Sequence, residues 1–384
     1  MIKKRSVKLF SYEERIFFIF LLLHYSFYSG IAQKTNSCSL INKFENQLAN
    51  DVKDDQVGSI SASIILDNKT VWSKAFGYAD PMKQFDADTS TLYRVASVSK
   101  TFTVLLMMKM IEEGYFKLDD PVDIFVPEIK KIRGYSESNR ITFKQLASHT
   151  SGLDREPKLR NADLGQPEFW ENQTILSIPT IKLISEPGLK YNYSNIGISI
   201  IGLAISRAAK KPFIDLIVDK ILIPLNMKNT FYRVPEKERN KMSIGVYGSR
   251  LTKRNIKIAN RELQGRGYKV PAAGLITTST DLTRFVISLM GRSESKILSN
   301  ESLKLMQTPV IQIDSGVYYG LGLFITKNEN HIIIGHGGTT RGFCSLFAFD
   351  PTNNNGVVLL RNYNKGKMNF DTSATLLLNE LAFK

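Results

Sequence analysis

The pattern of apolar and polar residues predicts β-strands towards both ends of the chain. Residues 59–66 alternate serine with isoleucine and alanine before an apolar ending, and residues 70–76 form a second strand-like run. The Asp67-Asn68-Lys69 turn between them predicts a hairpin. The C-terminal part contains four short apolar runs. An Asn-rich turn separates the first run from the second, and another separates the third from the fourth, which predicts an antiparallel meander. These runs are residues 319–326, 331–334, 342–349 and 356–361.

Helical patterns fill most of the remaining chain. Residues 101–111 are apolar on nearly every side, which indicates a helix in the core, and Gly114 is placed to end it. From about 115 to 270 strand signals are few, and the polar, basic residues 236–269 predict a long surface excursion. Further helices are expected at 39–51, 194–209, 212–221 and 371–383.

The predicted fold class is α+β, an antiparallel sheet flanked by helices with an inserted, mainly helical region. We expect the sheet part at about 55–100 and 271–384, and the helical part at about 101–270. At 384 residues the chain is long enough to bury a sizeable core without a metal or a disulfide. We assign residues 33–384 to this fold.

The first 32 residues have the pattern of a signal peptide. A basic lead precedes an apolar centre at 16–23 and a small-x-small site at 30–32, which predicts cleavage before Gln33. The mature protein is then expected to be periplasmic or secreted, with no integral membrane span. An uncleaved anchor is the alternative, since Glu13 and Glu14 make the lead atypical, although the apolar stretch is short for a membrane span.

Charge and cysteine content narrow the classes of partner. The chain carries a formal net charge of +15, which either favours anionic partners such as cell-envelope polymers or serves solubility. The basic residues are dispersed rather than banded with aromatic residues, so nucleic acid is not an expected partner. Cys38 and Cys344 lie far apart in the sequence, and we expect two free thiols although export would permit a disulfide.

The candidate nucleophile is Ser97, in the segment Ser97-Val98-Ser99-Lys100 at the start of the predicted core helix. Residues at i and i+3 share one face of a helix, so the Lys100 amine can reach the Ser97 hydroxyl. Burial disfavours a charged amine and lowers its pKa towards that of a base. The helix N-terminus favours a developing negative charge. The alternative is a serine N-cap beside a lysine that extends to solvent.

Two further segments could supply chemistry. Tyr193-Ser194-Asn195 follows a Pro-Gly turn, and offers a phenol to relay protons and an amide to hold a substrate carbonyl; the alternative is a helix capped by Asn195. His336-Gly337-Gly338 follows a short strand, and its glycines allow close approach of a ligand. The histidine there could bind a substrate carboxylate or transfer protons near neutral pH.

Other catalytic patterns are absent from the sequence. It contains no G-x-S-x-G elbow and no H-E-x-x-H, paired-cysteine or EF-hand spacing, so we expect no metal and no cofactor. The cluster His149-Thr150-Ser151-Gly152 is interpreted as mainly structural, holding a loop against the sheet.

Taken in order, the motifs resemble those of serine β-lactamases and penicillin-binding proteins. The segment 93–103 is similar to the active-site segment of that superfamily, and the nearest branch is class C-like. This branch also includes D-aminopeptidases, D,D-carboxypeptidases and esterases. The resemblance spans roughly residues 55–365. It continues through Leu146-Ala147-Ser148-His149-Thr150-Ser151-Gly152-Leu153, Tyr193-Ser194-Asn195, Pro224-Leu225-Asn226-Met227 and Gly335-His336-Gly337-Gly338.

The resemblance implies a fold and a set of roles. It implies the β-lactamase/transpeptidase-like fold, with Ser97 as the acylated nucleophile and Lys100 and Tyr193 sharing the acid and base work. Asn195 would hold the substrate's amide carbonyl, and His336-Gly337-Gly338 would form the strand edge beside the substrate. The second oxyanion donor, besides the Ser97 N–H, is expected within residues 342–345.

One position departs from the pattern. True β-lactamases have Lys-Thr-Gly as the third motif, and here His336 takes the place of the lysine. The expected function is therefore an exported serine hydrolase that cleaves an ester or peptide-like amide through a Ser97 acyl-enzyme, on a small or peptide-like, possibly cell-wall-derived substrate. The alternatives are a true class C-like β-lactamase or D,D-carboxypeptidase, and a non-catalytic protein that binds penicillin or cell-wall peptides.

Overall fold

A nine-stranded antiparallel sheet organises the chain. The computed structural model describes residues 37–327 and 331–382, so the predicted signal peptide lies outside the described residues. In space the strands follow the order β3-β2-β1-β11-β10-β9-β8-β7-β6, and a separate two-stranded ladder joins β4 to β5. The strands are β1 Ser59–Leu66, β2 Lys69–Asp80, β3 Phe85–Asp86, β4 Tyr93–Arg94, β5 Ile276–Thr277, β6 Ile311–Asp314, β7 Val317–Tyr319, β8 Phe324–Lys327, β9 Ile332–Thr340, β10 Phe343–Asp350 and β11 Asn355–Arg361.

Helices cover both faces of the sheet. On one face the first and last helices pack on apolar side chains such as Ile60 and Leu359; on the other lies the larger core that contains Phe102, Phe285 and Phe347. The helices are α1 (residues 37–55), α2 Ser99–Glu112, α3 Phe143–Ala147, α4 Trp170–Ser177, α5 Asn195–Ala209, α6 Phe213–Ile217, α7 Lys253–Ala259, α8 Val270–Ala273, α9 Ser279–Leu289, α10 Asn300–Met306 and α11 Phe370–Ala382.

The serine–isoleucine alternation of β1 has a direct structural cause. Ile60, Ala62 and Ile64 belong to the core under α1 and α11. The serines project from the opposite face, where Ser61 Oγ lies 2.8 Å from Ser279 Oγ on α9. The predicted hairpin is confirmed, since β1 and β2 pair in antiparallel register.

The C-terminal meander is confirmed with two corrections. Residues 319–326 form not one strand but the ends of two, β7 and β8, because the chain turns through Gly322, whose φ is +69°. That left-handed conformation favours glycine. His336 and its two glycines lie inside β9 rather than after a strand.

The predicted core helix is confirmed as α2, in which the Phe102 ring stacks on the Phe285 ring at a centroid distance of 3.6 Å. The start of α5 differs from the prediction. Ser194, not Asn195, is its N-cap, because the Ser194 Oγ accepts the Gly197 N–H at 3.1 Å. The segment 236–269 is also less exposed than expected, since Val246 and Tyr268 are buried.

Neither Cys38 nor Cys344 forms a disulfide, as predicted. Among residues 37–327 and 331–382, no helix combines the length and apolar character needed to span a lipid bilayer.

Candidate active site

Ser97 lies in a 3₁₀ turn, Ala96–Val98, that leads directly into α2. The residue before it, Ala96, has a φ of +44°, a strained conformation for a residue with a side chain. From the first turn of α2, Lys100 Nζ donates to Ser97 Oγ at 3.0 Å. The spacing of three residues therefore brings these two groups into hydrogen-bond contact.

Lys100 is completely buried, and its surroundings disfavour the charged, ammonium form of the side chain. Burial lowers the pKa of the amine well below its usual value, and the charges of Lys269, Arg155 and Arg266 lower it further, against an opposing effect of Glu156. The backbone carbonyl of Ala272 accepts a second hydrogen bond from Nζ at 2.9 Å, which fixes the amine in place. A neutral amine held against a hydroxyl can accept its proton.

Tyr193 completes the contacts of Ser97. Its side chain is hydrogen-bonded to the Ser97 side chain, and Lys100 Nζ lies 4.9 Å from the centre of its ring. Burial raises the pKa of Tyr193 to about 12, although the Ser97 hydrogen bond opposes the shift. The phenol is therefore protonated at neutral pH and can donate that proton.

The side chain of Asn195, predicted to hold a substrate carbonyl, is hydrogen-bonded to a carboxylate. Its Nδ2 donates to Glu156 Oε1 at 2.5 Å, and Glu156 also accepts from Tyr268 and from Lys269 at 2.9 Å. The amide does not line the cleft beside Ser97. One of its two N–H groups is thus already engaged by a carboxylate.

His336 is buried and neutral. The Tyr319 hydroxyl lies 3.1 Å from Nε2, and Nδ1 lies 2.7 Å from the Gly337 carbonyl. Because a carbonyl can only accept, Nδ1 carries the proton and the Tyr319 hydroxyl donates to Nε2. Burial, with a smaller effect of Lys100, lowers the pKa of His336 to about 3. This environment disagrees with the expected charge change near neutral pH.

Among the residues that the structure describes, strand β9 has a free edge beside the nucleophile. β8 pairs with β9 only as far as Gly335, whereas β10 continues along its other side to Thr340. A Cβ added to Gly338 would lie 2.2 Å from the Val95 carbonyl oxygen and 2.9 Å from the Ser97 nitrogen. The glycine therefore permits the close approach of β9 to Ser97.

Two of the four residues expected to supply the second oxyanion donor, Cys344 and Ser345, lie in the interior of the sheet. Cys344 and Ser345 belong to β10 and are paired with β9 on one side and β11 on the other. The Ser345 hydroxyl donates to the Val95 carbonyl at 2.7 Å. An interior strand has its backbone groups engaged in the ladders, so the free edge of β9 is the place for such a donor.

A cleft of about 610 Å³ opens along this edge and contains Ser97. Two of the described residues that line it carry a formal charge. Arg155 holds its guanidinium 4.7 Å from the centre of the Tyr193 ring, and its side chain is 65% exposed. Asp371, at the start of α11, lies on the other side of β9, 3.9 Å from the position of a Cβ on Gly337.

Several residues of the site were not predicted from the sequence, among them Arg155, Glu156, Lys269 and Tyr319. Arg155 and Glu156 lie in a loop, Lys269 ends a short 3₁₀ helix and Tyr319 lies on the short strand β7, and none of them belongs to a motif. His149, which the sequence predicts to be mainly structural, has its ring centre 4.3 Å from that of Tyr193. The only sequence signal for Arg155 and Glu156 is that they closely follow the His149 segment.

Comparisons with known proteins show the family and the fold of the chain. A family model described as β-lactamase matches residues 44–381. The octameric penicillin-binding protein homologue from Pyrococcus abyssi superposes with a TM-score of 0.74 and 26% sequence identity, covering 90% of this chain and 78% of that one. The β-lactamase/transpeptidase-like fold expected from the sequence is thereby confirmed.

Two curated relatives are longer than this chain. Protein flp of Staphylococcus aureus strain MW2 is 28% identical over 329 residues, which cover 83% of this chain and 62% of that protein. β-Lactamase-like protein 4 of Dictyostelium discoideum is 27% identical over 333 residues, covering 80% and 57% respectively. The chain thus spans about three fifths of the length of these relatives. On the family match and the shared fold, it belongs to the β-lactamase family, within the serine β-lactamase and penicillin-binding protein superfamily.

Proposed function

We propose that the chain is a serine hydrolase that cleaves an ester or a peptide-like amide through an acyl-enzyme on Ser97. One observation carries this proposal: the Ser97 hydroxyl is hydrogen-bonded both to a buried amine, Lys100, and to a buried phenol, Tyr193. Burial lowers the pKa of the amine and so favours its neutral form, whereas the raised pKa of the phenol keeps it protonated. A base and an acid therefore contact the same oxygen.

In the acylation step, Lys100 takes the Ser97 proton while Oγ attacks the substrate carbonyl. The oxyanion receives hydrogen bonds from the Ser97 N–H and from a backbone N–H on the free edge of β9; by analogy with other oxyanion holes, removing one such donor costs about 3–4 kcal/mol. Tyr193 gives its proton to the leaving group and regains one from Lys100. Water then attacks the acyl ester with the same groups in reverse roles.

The histidine at the third motif, where true β-lactamases have a lysine, favours an ester or peptide-like substrate over a β-lactam. The histidine at the third motif is neutral and both its ring nitrogens are engaged, so it offers no cation to a carboxylate. Arg155 and Asp371 are the charged groups among the described lining residues. A true β-lactamase or D,D-carboxypeptidase remains the second candidate, supported by the family match alone.

Export and a cell-wall-derived substrate belong to the same proposal. They are supported by the signal-peptide pattern of residues 1–32 and by the basic net charge. A mature protein that begins at Gln33, found outside the cytoplasm by fractionation and N-terminal sequencing, is the expected result. Recovery of the intact chain in the cytoplasm would contradict it.

The function is tested with Ser97→Ala and a panel of p-nitrophenyl esters, peptide-like amides and a cephalosporin. The variant is expected to lose turnover while keeping its far-UV CD spectrum and melting temperature. Ser99→Ala is the matched control, because Ser99 lies two residues away and its Oγ accepts the Leu275 N–H without contacting the nucleophile. Binding of ligands without turnover by the unmodified chain would instead indicate a non-catalytic penicillin- or peptide-binding protein.

A further inference from the structure

Tyr193 lies in the irregular segment before α5, and one residue holds both of its neighbours. The backbone carbonyl of His149 accepts the Asn192 N–H at 2.7 Å. The Nδ1 atom of the same residue accepts the Ser194 N–H at 3.2 Å. Its ring lies 4.3 Å from the Tyr193 ring, tilted by 40°. His149 therefore contacts the backbone on each side of Tyr193 and the aromatic ring itself.

The conformation of His149 is unusual for such a residue. Its φ is +58°, in the left-handed region that costs free energy for most side chains, and its side chain is fully buried. The ring also lies beside that of Tyr319, at a centroid distance of 4.9 Å. Tyr319 in turn donates to His336 on β9. The residue thus connects the Tyr193 segment to the strand edge that forms the cleft.

His149 is not placed to exchange protons with a substrate. Nδ1 accepts a backbone N–H, so the proton of the neutral ring is on Nε2, and that atom has no hydrogen-bond partner among the described residues. The ring is absent from the lining of the cleft. The contacts of His149 described above are with the Tyr193 segment and with Tyr319, not with the space that a substrate would occupy.

We infer that His149 is a positioning residue, which fixes the Tyr193 phenol against the Ser97 hydroxyl. The inference rests on the proposed function and goes beyond the prediction that this segment only holds a loop against the sheet. A residue that acts through Tyr193 matters for kcat only while the phenol is present. A residue that only stabilises the loop affects activity whether or not Tyr193 has its hydroxyl.

The substitution His149→Asn separates the two roles. Asparagine tolerates the left-handed conformation, and its Oδ1 is as many bonds from Cα as the histidine Nδ1, so the bond from the Ser194 N–H is kept while the ring contact is lost. His149→Gly keeps the backbone conformation and loses both. We expect kcat on an activated ester to fall in both variants, by up to about 100-fold in His149→Gly, with KM within twofold and a partial recovery in His149→Asn.

The decisive comparison is a double-mutant cycle with Tyr193→Phe, which retains the ring but removes the hydroxyl. In the Tyr193→Phe background, His149→Asn is expected to change kcat by less than about twofold, because coupled residues are non-additive. Leu216→Ala, a buried change on α6, is the control for loss of stability and is expected to lower the melting temperature without the kcat effect.

Two results overturn the inference while leaving the proposed function intact. One is a full, additive loss of kcat when His149→Asn is combined with Tyr193→Phe. The other is wild-type kcat in the single variants. An unmodified protein that neither turns over esters nor is acylated at Ser97 overturns the proposed function, and the inference with it.

Discussion

Lys100 carries the most unfavourable environment of any residue in the proposed mechanism. An amine with no exposed surface loses its hydration, and the nearby cations add to the cost of charging it. The hydrogen bonds to Ser97 and Ala272 hold the neutral form at the nucleophile. Burial of Lys100 therefore lowers the free energy of unfolding at neutral pH, but it also keeps the amine in the neutral form that can act as a base.

This cost has a measurable dependence on pH. The lowered pKa means that, between that value and about 10.4, the unfolded chain binds a proton at Lys100 that the folded chain does not. Wild-type stability must therefore rise with pH relative to Lys100→Met, by about 1.4 kcal/mol per pH unit within this window. Urea unfolding of both proteins from pH 7 to pH 10 measures the difference, and a difference that does not change with pH would contradict the assignment.

The positive charge of the cleft is on Arg155 and not, as expected, on His336. The sequence predicted a titratable charge at His336, but burial leaves that ring neutral. The exposed guanidinium of Arg155, stacked over the Tyr193 ring, supplies the positive charge instead. Its position could not be predicted because residues 155 and 193 are far apart in sequence.

A substitution tests the contribution of this charge to substrate choice. Arg155→Gln is expected to lower kcat/KM for an ester with a carboxylate in its acyl part by about two- to fivefold, the magnitude of an exposed ion pair. A neutral isosteric ester should be affected much less. Arg160→Gln makes the same charge change in the same segment outside the cleft lining; equal effects of the two substitutions would indicate only a long-range charge effect.

Among the elements, β9 determines how the nucleophile meets the substrate. Its two adjacent glycines face opposite sides of the sheet, and their surroundings differ sharply. A methyl group at Gly338 would lie 2.2 Å from the Val95 carbonyl oxygen, whereas at Gly337 the nearest atom would be 3.8 Å away. The requirement for glycine is therefore confined to the side that faces Ser97.

A pair of alanine substitutions follows from this difference. Gly338→Ala is expected to push β9 away from Ser97 and to reduce kcat/KM by tenfold or more, at a cost of about 1–3 kcal/mol in unfolding free energy. Gly337→Ala introduces an ordinary van der Waals contact and is expected to leave both quantities close to wild type. Steady-state kinetics with urea unfolding measures both; equal sensitivity at the two positions would contradict the close approach.

Local sequence patterns predicted the elements whose structure depends on neighbouring residues. They did not predict the elements that depend on contacts between residues distant in the sequence. The β1–β2 hairpin and α2 are specified by a turn and by an apolar run, and both are present. The split of residues 319–326 follows from the turn at Gly322, which packs against Val104 of α2, a contact no local pattern contains. The four-residue edge strand β6 also was not predicted, although its residues alternate between half-buried and exposed.

For the molecule as a whole, the site is assembled where α2, the segment before α5 and β9 converge. The spacing of Ser97 and Lys100 within one helix turn made that pair predictable. The position of Tyr193 beside them followed only from the resemblance to a family. Glu156 and Tyr319 could not be found, because only the tertiary fold brings Glu156 to Asn195 and Tyr319 to His336.

The site and rate of covalent labelling by a fluorophosphonate test the central claim most directly. Peptide mapping by mass spectrometry is expected to place the adduct on Ser97 in the wild-type protein, and labelling is expected to be much slower in Lys100→Met and Tyr193→Phe. An adduct on another residue, or an undiminished rate at Ser97 without the amine, would contradict the proposal that Lys100 and Tyr193 activate this serine.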